Sequence, residues 1–309
     1  MELISASRRT DIPAFYAEWF VRRLEAGFCH TVNPFNGGVR RVSLRPEDTL
    51  GIVCWTRHPA PLLPCLRRLA AAGHRFAFHY TINRYPRSIE SHAPPAENAV
   101  RNFKALSDLL GPDRVWWRYD PILLTPGTPA AWHRDRFSRL ASELAGYTTR
   151  CYVSFVTFYR KTLRNLAAAR AEAQDPEPEA RRLLAGELAA AARDRGIRLH
   201  SCCDDRLLQP LVEKAHCVAP QPFGDPPGTD TDAAPPAPTR AGCGCRRSID
   251  IGAYDTCPFG CAYCYATNSR KAALDRRAAH HPDDTLLWRP QSLAGADLAK
   301  LEGAFSEPR

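Results

Sequence analysis

The chain has 309 residues, 44% of them hydrophobic, and a formal net charge of +9. That length suits one large domain or two ordinary ones and is enough for a sizeable core. No apolar run reaches the ~20 residues of a membrane-spanning helix, and the N-terminus lacks the basic-then-apolar order of a signal peptide, so a cytoplasmic protein with no membrane partner is expected. The charge comes mainly from arginine. It is compatible with an anionic substrate or nucleic acid, although a solvated basic surface is the plainer reading.

Ile4-Ser-Ala-Ser7 opens as a short strand and runs into Arg8, Arg9, Thr10 and Asp11. Asp11 before Pro13 reads as a helix cap, and Phe15, Trp19, Phe20 and Leu24 recur at helical spacing up to Gly27. Cys29 to Asn33 is a second candidate strand, stopped by Pro34. Gly51–Thr56 and Phe76–Ile82 read as buried strands, with a helix lined by Leu62, Leu66 and Leu69 between them. Val100, Phe103, Leu106 and Leu110 line the next helix. Val115–Tyr119 is a strand ending at Asp120-Pro121, and a helix around 131–145 leads to the strand Arg150–Val156. A longer helical stretch, interrupted at Asp175–Pro178, leads to Ile197–His200. Ser248–Ile251 is the last candidate strand.

Strand–helix alternation on this scale means parallel strands with helical crossovers. The expected fold is α/β, a (β/α)-barrel-like parallel sheet with a C-terminal cysteine-rich cluster loop. Residues 1–218 would form the barrel body. The composition of 219–242 is Pro-rich and suits an exposed loop. Residues 243–309 would complete the barrel. Polar residues recur after nearly every candidate strand: Arg8 to Asp11, Asn33, Arg57, Asn83, Arg118, Asp120, Ser154 and Cys202 to Asp204. In a barrel those strand ends share the face that carries the active site.

Twelve cysteines in a reducing compartment point to metal or redox chemistry rather than disulfides. Five of them lie between 243 and 264. Cys257-Pro-Phe-Gly-Cys261-Ala-Tyr-Cys264 places three thiols at spacings that can reach three corners of a [4Fe-4S] cluster, leaving the fourth iron without a protein ligand. A zinc site completed by a fourth ligand is the alternative. Cys202, Cys217, Cys243 and Cys245 have the thiol complement of a second iron–sulfur cluster or a zinc ion. Ordinary structural thiols compete with that reading for Cys202 and Cys217. Cys29, Cys54, Cys65 and Cys151 sit in apolar contexts and read as packing residues. Arg118 and Asp120 could bind and orient a substrate, or could be an internal ion pair at the barrel mouth.

The cysteine motif resembles the cluster loop of radical S-adenosylmethionine enzymes, in which the open iron binds S-adenosylmethionine and reductive cleavage gives a 5′-deoxyadenosyl radical. That resemblance implies Cys257, Cys261 and Cys264 as cluster ligands and an electron donor such as ferredoxin or flavodoxin. A resemblance across nearly the whole chain is to an uncharacterised bacterial domain-of-unknown-function family, number 1848. It is carried by Ser5-Ala-Ser-Arg-Arg-Thr-Asp-Ile-Pro13, Asn33-Pro-Phe35, Trp55-Thr-Arg-His-Pro59, Trp117-Arg-Tyr-Asp-Pro-Ile122, Ser154-Phe155, Cys243-Gly-Cys245 and Ser248-Ile-Asp-Ile-Gly-Ala-Tyr254. One departure from ordinary radical S-adenosylmethionine enzymes stands out. There the cysteine loop follows the first strand, whereas here only 45 residues follow Cys264. Either the barrel order is rotated, with Ser248–Ile251 as first strand, or the loop is appended to a different barrel. No glycine-glycine-acidic element follows a strand, since Gly37-Gly38 precedes Val39-Arg40.

These observations favour an iron–sulfur enzyme of radical S-adenosylmethionine type. Arg118 and Asp120 are its catalytic candidates, and Arg8, Asp11, Asn33, Arg57 and Ser154 its candidates for binding cofactor and substrate. The competing classes are a non-catalytic iron–sulfur or zinc protein in electron transfer or sensing, and a nucleic-acid-modifying enzyme using the aromatics Trp55, Tyr80 and Tyr119. The position of the cysteine loop separates the first two: over the C-terminal strand ends it favours an enzyme, on an outer face a carrier.

Overall fold

A computed structural model describes residues 1–224 and 234–302. The central part of the Pro-rich segment, 225–233, lies outside the described residues.

The strands are β1 (Glu2–Ala6), β2 (Phe28–Val32), β3 (Val39–Ser43), β4 (Thr49–Thr56), β5 (Phe76–Thr81), β6 (Val115–Ile122), β7 (Arg150–Phe155), β8 (Arg198–Ser201), β9 (Val212–Lys214) and β10 (Ile249–Asp250). Eight of them form one sheet in the order β10-β1-β4-β5-β6-β7-β8-β9. Every pairing in it is parallel. The helices are α1 (Ile12–Phe15), α2 (Ala17–Ala26), α3 (Leu63–Ala71), α4 (Ala96–Leu110), α5 (Ala130–Leu144), α6 (Arg160–Ala168), α7 (Pro178–Arg193) and α8 (Arg270–Ala278). Among the described residues no helix is long and apolar enough to cross a membrane.

Side chains alternate across the strands, and the two faces differ. Ile52 and Cys54, Phe76 and Phe78, Trp117 and Tyr119, and Cys151 and Val153 face the helices in the main core. Leu3, Val53, Ala77, Trp116 and Tyr152 face the other way. They are covered by the chain itself, through Ala215, Cys217, Val218, Phe223 and Cys245. Gly51 makes room for this cover, because a Cβ there would lie 2.5 Å from the Phe223 ring. The edge strands β9 and β10 do not pair with each other among the described residues. The chain between them is joined across by the Arg246 N–H, which donates to the Val218 carbonyl at 2.9 Å. The architecture is thus a mixed α/β fold on a large parallel sheet, with helices on one face and the chain's own covering segment on the other. No hydrogen-bonded closure of the barrel is present among the described strands.

Three expectations change. Cys29–Asn33 does not join the main sheet. β2 pairs antiparallel with β3 across the turn from Asn33 to Gly38, and β4 takes the place beside β1. Local pairing across a tight turn avoids the crossover that a parallel partner demands. The eighth position is filled by β9, three residues with one apolar side chain, too short to show a period. The first helix divides at Tyr16, whose backbone leaves the helical region and whose hydroxyl donates to the Thr256 carbonyl at 2.7 Å.

Candidate functional site

The cysteine loop leaves β10 and runs to α8. Its start is set by Asp250, which takes hydrogen bonds from the Ser5 hydroxyl (2.7 Å), the Ser7 hydroxyl (2.5 Å), the Arg8 N–H (2.8 Å) and Arg9 Nε (3.0 Å). Burial alone would raise the Asp250 pKa. The Arg9 charge and the Ser7, Arg8 and Ser5 donors outweigh it and hold the carboxyl below its ordinary value. A Cβ on Gly252 would lie 2.1 Å from Ser7 Oγ, so glycine is what allows the two segments to touch. The loop then curls at Gly260, whose φ of +68° suits glycine.

The loop lies over the C-terminal ends of the strands. Cys261 bridges to Glu90, and the Ala262 N–H donates to the Ile89 carbonyl at 2.9 Å. Tyr263 is buried, and its hydroxyl meets Glu90, Arg57 and Asn83. Arg57, beyond β4, pairs with Glu90 at 2.6 Å. Asn83, beyond β5, donates to the Asp120 carbonyl at 3.0 Å and accepts from the Asp120 N–H at 2.9 Å. Asp11 caps α1 through the Ala14 N–H and accepts from the Arg57 N–H at 2.6 Å. Burial pushes its pKa up to about 7 against those hydrogen bonds.

The three thiols feel one another. Burial, then the Asp11 carboxylate and the other two sulfurs, hold Cys257 well above the ordinary thiol range. Burial carries Cys261 to about 12, with Arg57 opposing. Cys257 and Cys261 so placed resist ionising, and a bound metal would supply the positive charge that permits it. Ala266 N–H donates to Cys264 Sγ at 3.4 Å.

At the ends of β6 and β7, Arg118 pairs with Asp120 at 2.6 Å, and the Ser154 hydroxyl donates to the other Asp120 oxygen. Arg118 Nη1 also lies 3.5 Å from Cys217 Sγ. The Cys217 thiol donates to Cys202 at 3.5 Å, and Cys202 lies 3.7 Å from Cys203. The contacts continue from Cys217 to Cys245 and from Cys245 to Cys243. Hydrogen bonds from Cys203 and Cys217 hold Cys202 below its ordinary pKa. The contacts thus run in succession from Cys203 through Cys202, Cys217 and Cys245 to Cys243. Among the described residues no three or more His, Cys, Asp or Glu side chains surround a point where a metal ion would sit. The guanidinium of Arg8 lies 5.3 Å from the centre of the Trp55 ring, and its carbonyl accepts from the Tyr265 hydroxyl at 2.8 Å.

Some expected residues fall elsewhere. Asn33 caps the β2–β3 turn by accepting from the Phe35 N–H at 2.9 Å. It lines a separate cavity of about 380 Å³ with Arg9, Tyr254, Arg276 and Trp288. Tyr80 and Tyr119 point to the helices, against Phe103 and Phe137. Only Trp55 of the three aromatics faces inward, stacked on His79. Glu90 lacked any signal of its own, and Asp250 stood only as one residue of the Ser248–Tyr254 family stretch. Glu90 sits in a loop and Asp250 inside a two-residue strand, so only their partners reveal them.

No curated protein and no solved structure matches the chain. Comparison with protein families matches residues 3–266 to Domain of unknown function (DUF1848). The match covers most of the chain, including both cysteine groups, and the chain belongs to the DUF1848 family.

Proposed function

We propose that the protein is an iron–sulfur enzyme of radical S-adenosylmethionine type, with Cys257, Cys261 and Cys264 holding a [4Fe-4S] cluster. The observation that carries this reading is the placement of the loop. It lies over the C-terminal strand ends, joined to Arg57, Glu90 and Asn83 and through Asn83 to Asp120. In parallel β/α folds that end of the sheet is where ligands meet loops.

Two further features agree. β10 is the edge strand beside β1, and the cysteine loop follows it directly. A barrel whose first strand is written last in the chain has this order. The three thiols also suit the group: all are half-buried, and Cys257 and Cys261 both feel the charge of Cys264, with Arg57 the cation beside Cys261. Such a cluster supplies a low-potential electron for reductive cleavage of S-adenosylmethionine. The chain's own contribution is to shield and position. Phe15 packs on Phe259 at 4.6 Å between ring centres, and Tyr263 is locked by three polar partners. Arg118, Asp120 and Ser154 form the polar wall that would meet a substrate. A ferredoxin- or flavodoxin-like donor would supply the electron.

The test is anaerobic reconstitution with iron and sulfide, followed by electron paramagnetic resonance of the reduced protein. The expected result is a cluster signal that changes when S-adenosylmethionine is added and is absent from C257S/C261S/C264S. A signal indifferent to S-adenosylmethionine would overturn the enzyme reading in favour of electron transfer.

A further inference from the structure

We propose that Cys202, Cys217, Cys243 and Cys245 form a second thiolate-ligated metal centre, on the inner wall of the mouth. Three separate parts of the chain bring these residues together: the end of β8, the segment after β9, and the loop before β10. They are already in contact, with Cys202 and Cys217 sulfurs 3.5 Å apart.

The backbone is built for this meeting. Gly242 and Gly244 flank Cys243, and each touches a segment that carries another cysteine. A Cβ on Gly244 would lie 2.6 Å from the Ala215 carbonyl oxygen and 2.9 Å from His216 Nδ1. A Cβ on Gly242 would lie 3.2 Å from the Cys203 carbonyl, and its φ of +71° is itself a glycine conformation. Real Cβ atoms do not approach backbone as closely as the Gly244 case requires. The Gly-Cys-Gly-Cys sequence therefore allows its loop to rest on the Cys202–Cys203 and Ala215–Cys217 peptides.

The surroundings are those of a charged sulfur centre. Four thiolates are the full complement for tetrahedral zinc or a four-iron cluster, and either leaves net negative charge. Arg118 Nη1 stands 3.5 Å from Cys217 Sγ. Arg8 Nη2 is buried with no hydrogen-bond partner among the described residues. Zinc and iron–sulfur share this ligand chemistry. Cys203 also reaches Cys202, at 3.7 Å, from a left-handed backbone with φ 61°, and four ligands already complete the site without it. The centre would face Arg118 and Asp120, so a substrate bound there would lie between two metal sites. The four-cysteine assignment does not depend on the first cluster.

The experiment is a metal count on C257S/C261S/C264S, purified anaerobically and loaded either with ferrous iron and sulfide or with zinc. One centre per chain should remain, and adding C217S/C245S should remove it. Retained iron with sulfide and visible absorption identifies a cluster, and retained colourless zinc identifies a zinc site; both support the assignment. G244A in the same background should bind the metal at least tenfold more weakly. If C257S/C261S/C264S does not fold, C217S/C245S in the otherwise unchanged chain should lower the metal content by one centre and keep the signal of the other. Metal content unaffected by C217S/C245S, or a Cys202–Cys217 disulfide in protein that takes up no metal, would overturn the assignment. A chain holding only the centre removed by C217S/C245S would sustain it and sink the three-cysteine cluster.

Discussion

The side chain of Asn83 and the backbone of Asp120 exchange two hydrogen bonds, at 3.0 and 2.9 Å. The exchange ties the end of β5 to the end of β6, and Asn83 also reaches the Tyr263 hydroxyl at 3.2 Å. Asn83→Ala leaves the Asp120 N–H unpaired, and a cost of about 1–3 kcal/mol is expected. Asn83→Asp should cost more, because it sets a second carboxylate against Glu90. Urea unfolding of the two variants checks the order, and equal midpoints would contradict it.

Arg57 and Glu90 form a pair whose side chains are only 11% and 3% exposed. Removing one partner of such a pair strands the other charge. Arg57→Met should destabilise by about 3–5 kcal/mol, whereas Arg57→Met with Glu90→Gln should recover a good part of it. Thermal unfolding of the single and double variants reads this directly. A double variant no better than Arg57→Met would show that packing, not the stranded carboxylate, sets the cost.

Asp250 anchors the first residues of the chain to the last strand of the sheet. Asp250→Ala abandons the Arg9 guanidinium, two hydroxyls and the Arg8 N–H, and a loss of about 3–5 kcal/mol is expected. Asp250→Asn keeps the shape and part of the hydrogen bonding and should fall between. Amide exchange should show early loss of protection at Ser5 and Ile251, whose backbones pair. Protection unchanged there would argue against Asp250 as the anchor.

His133 is fully buried. Its Nδ1 accepts from the Tyr119 hydroxyl at 2.8 Å and its Nε2–H donates to the Leu123 carbonyl at 3.1 Å. The neutral ring satisfies both partners, and burial lowers its pKa to about 4. The folded pKa lies below the unfolded value of about 6.5. Stability is therefore fully present above pH 6.5 and is lost as pH falls towards 4, by up to about 3 kcal/mol. His133→Gln should flatten the pH dependence of the unfolding free energy in that window. An unchanged slope would mean that other groups carry it.

Much of this protein is legible in its sequence, and the reason is periodicity. Seven of the eight sheet strands fall on candidate strands of the sequence, β4 to β7 through their apolar runs, and helix spacing announces most of the crossovers. Asp11 was legible as a cap because capping is local. The compact spacing of Cys257, Cys261 and Cys264 likewise marks one loop as the candidate cluster site, because that spacing is local. What sequence could not decide was pairing and facing. Phe28–Val32 has the composition of a buried strand, yet its partner lies across the next turn. Tyr80 and Tyr119 look like mouth aromatics, but strand parity turns them to the helices. Glu90, Asp250 and the contact of Cys202 with Cys217 depend on residues far apart in the chain. Contacts of that kind follow from how strands register and where the covering segment crosses the sheet, which is set by tertiary packing and not by local propensity. The amino-acid sequence alone singled out Cys257, Cys261 and Cys264 as one compact group, since three neighbouring thiols are visible without a fold. Tertiary structure decided that the three-cysteine loop overlies the strand ends and that the other four cysteines meet at all.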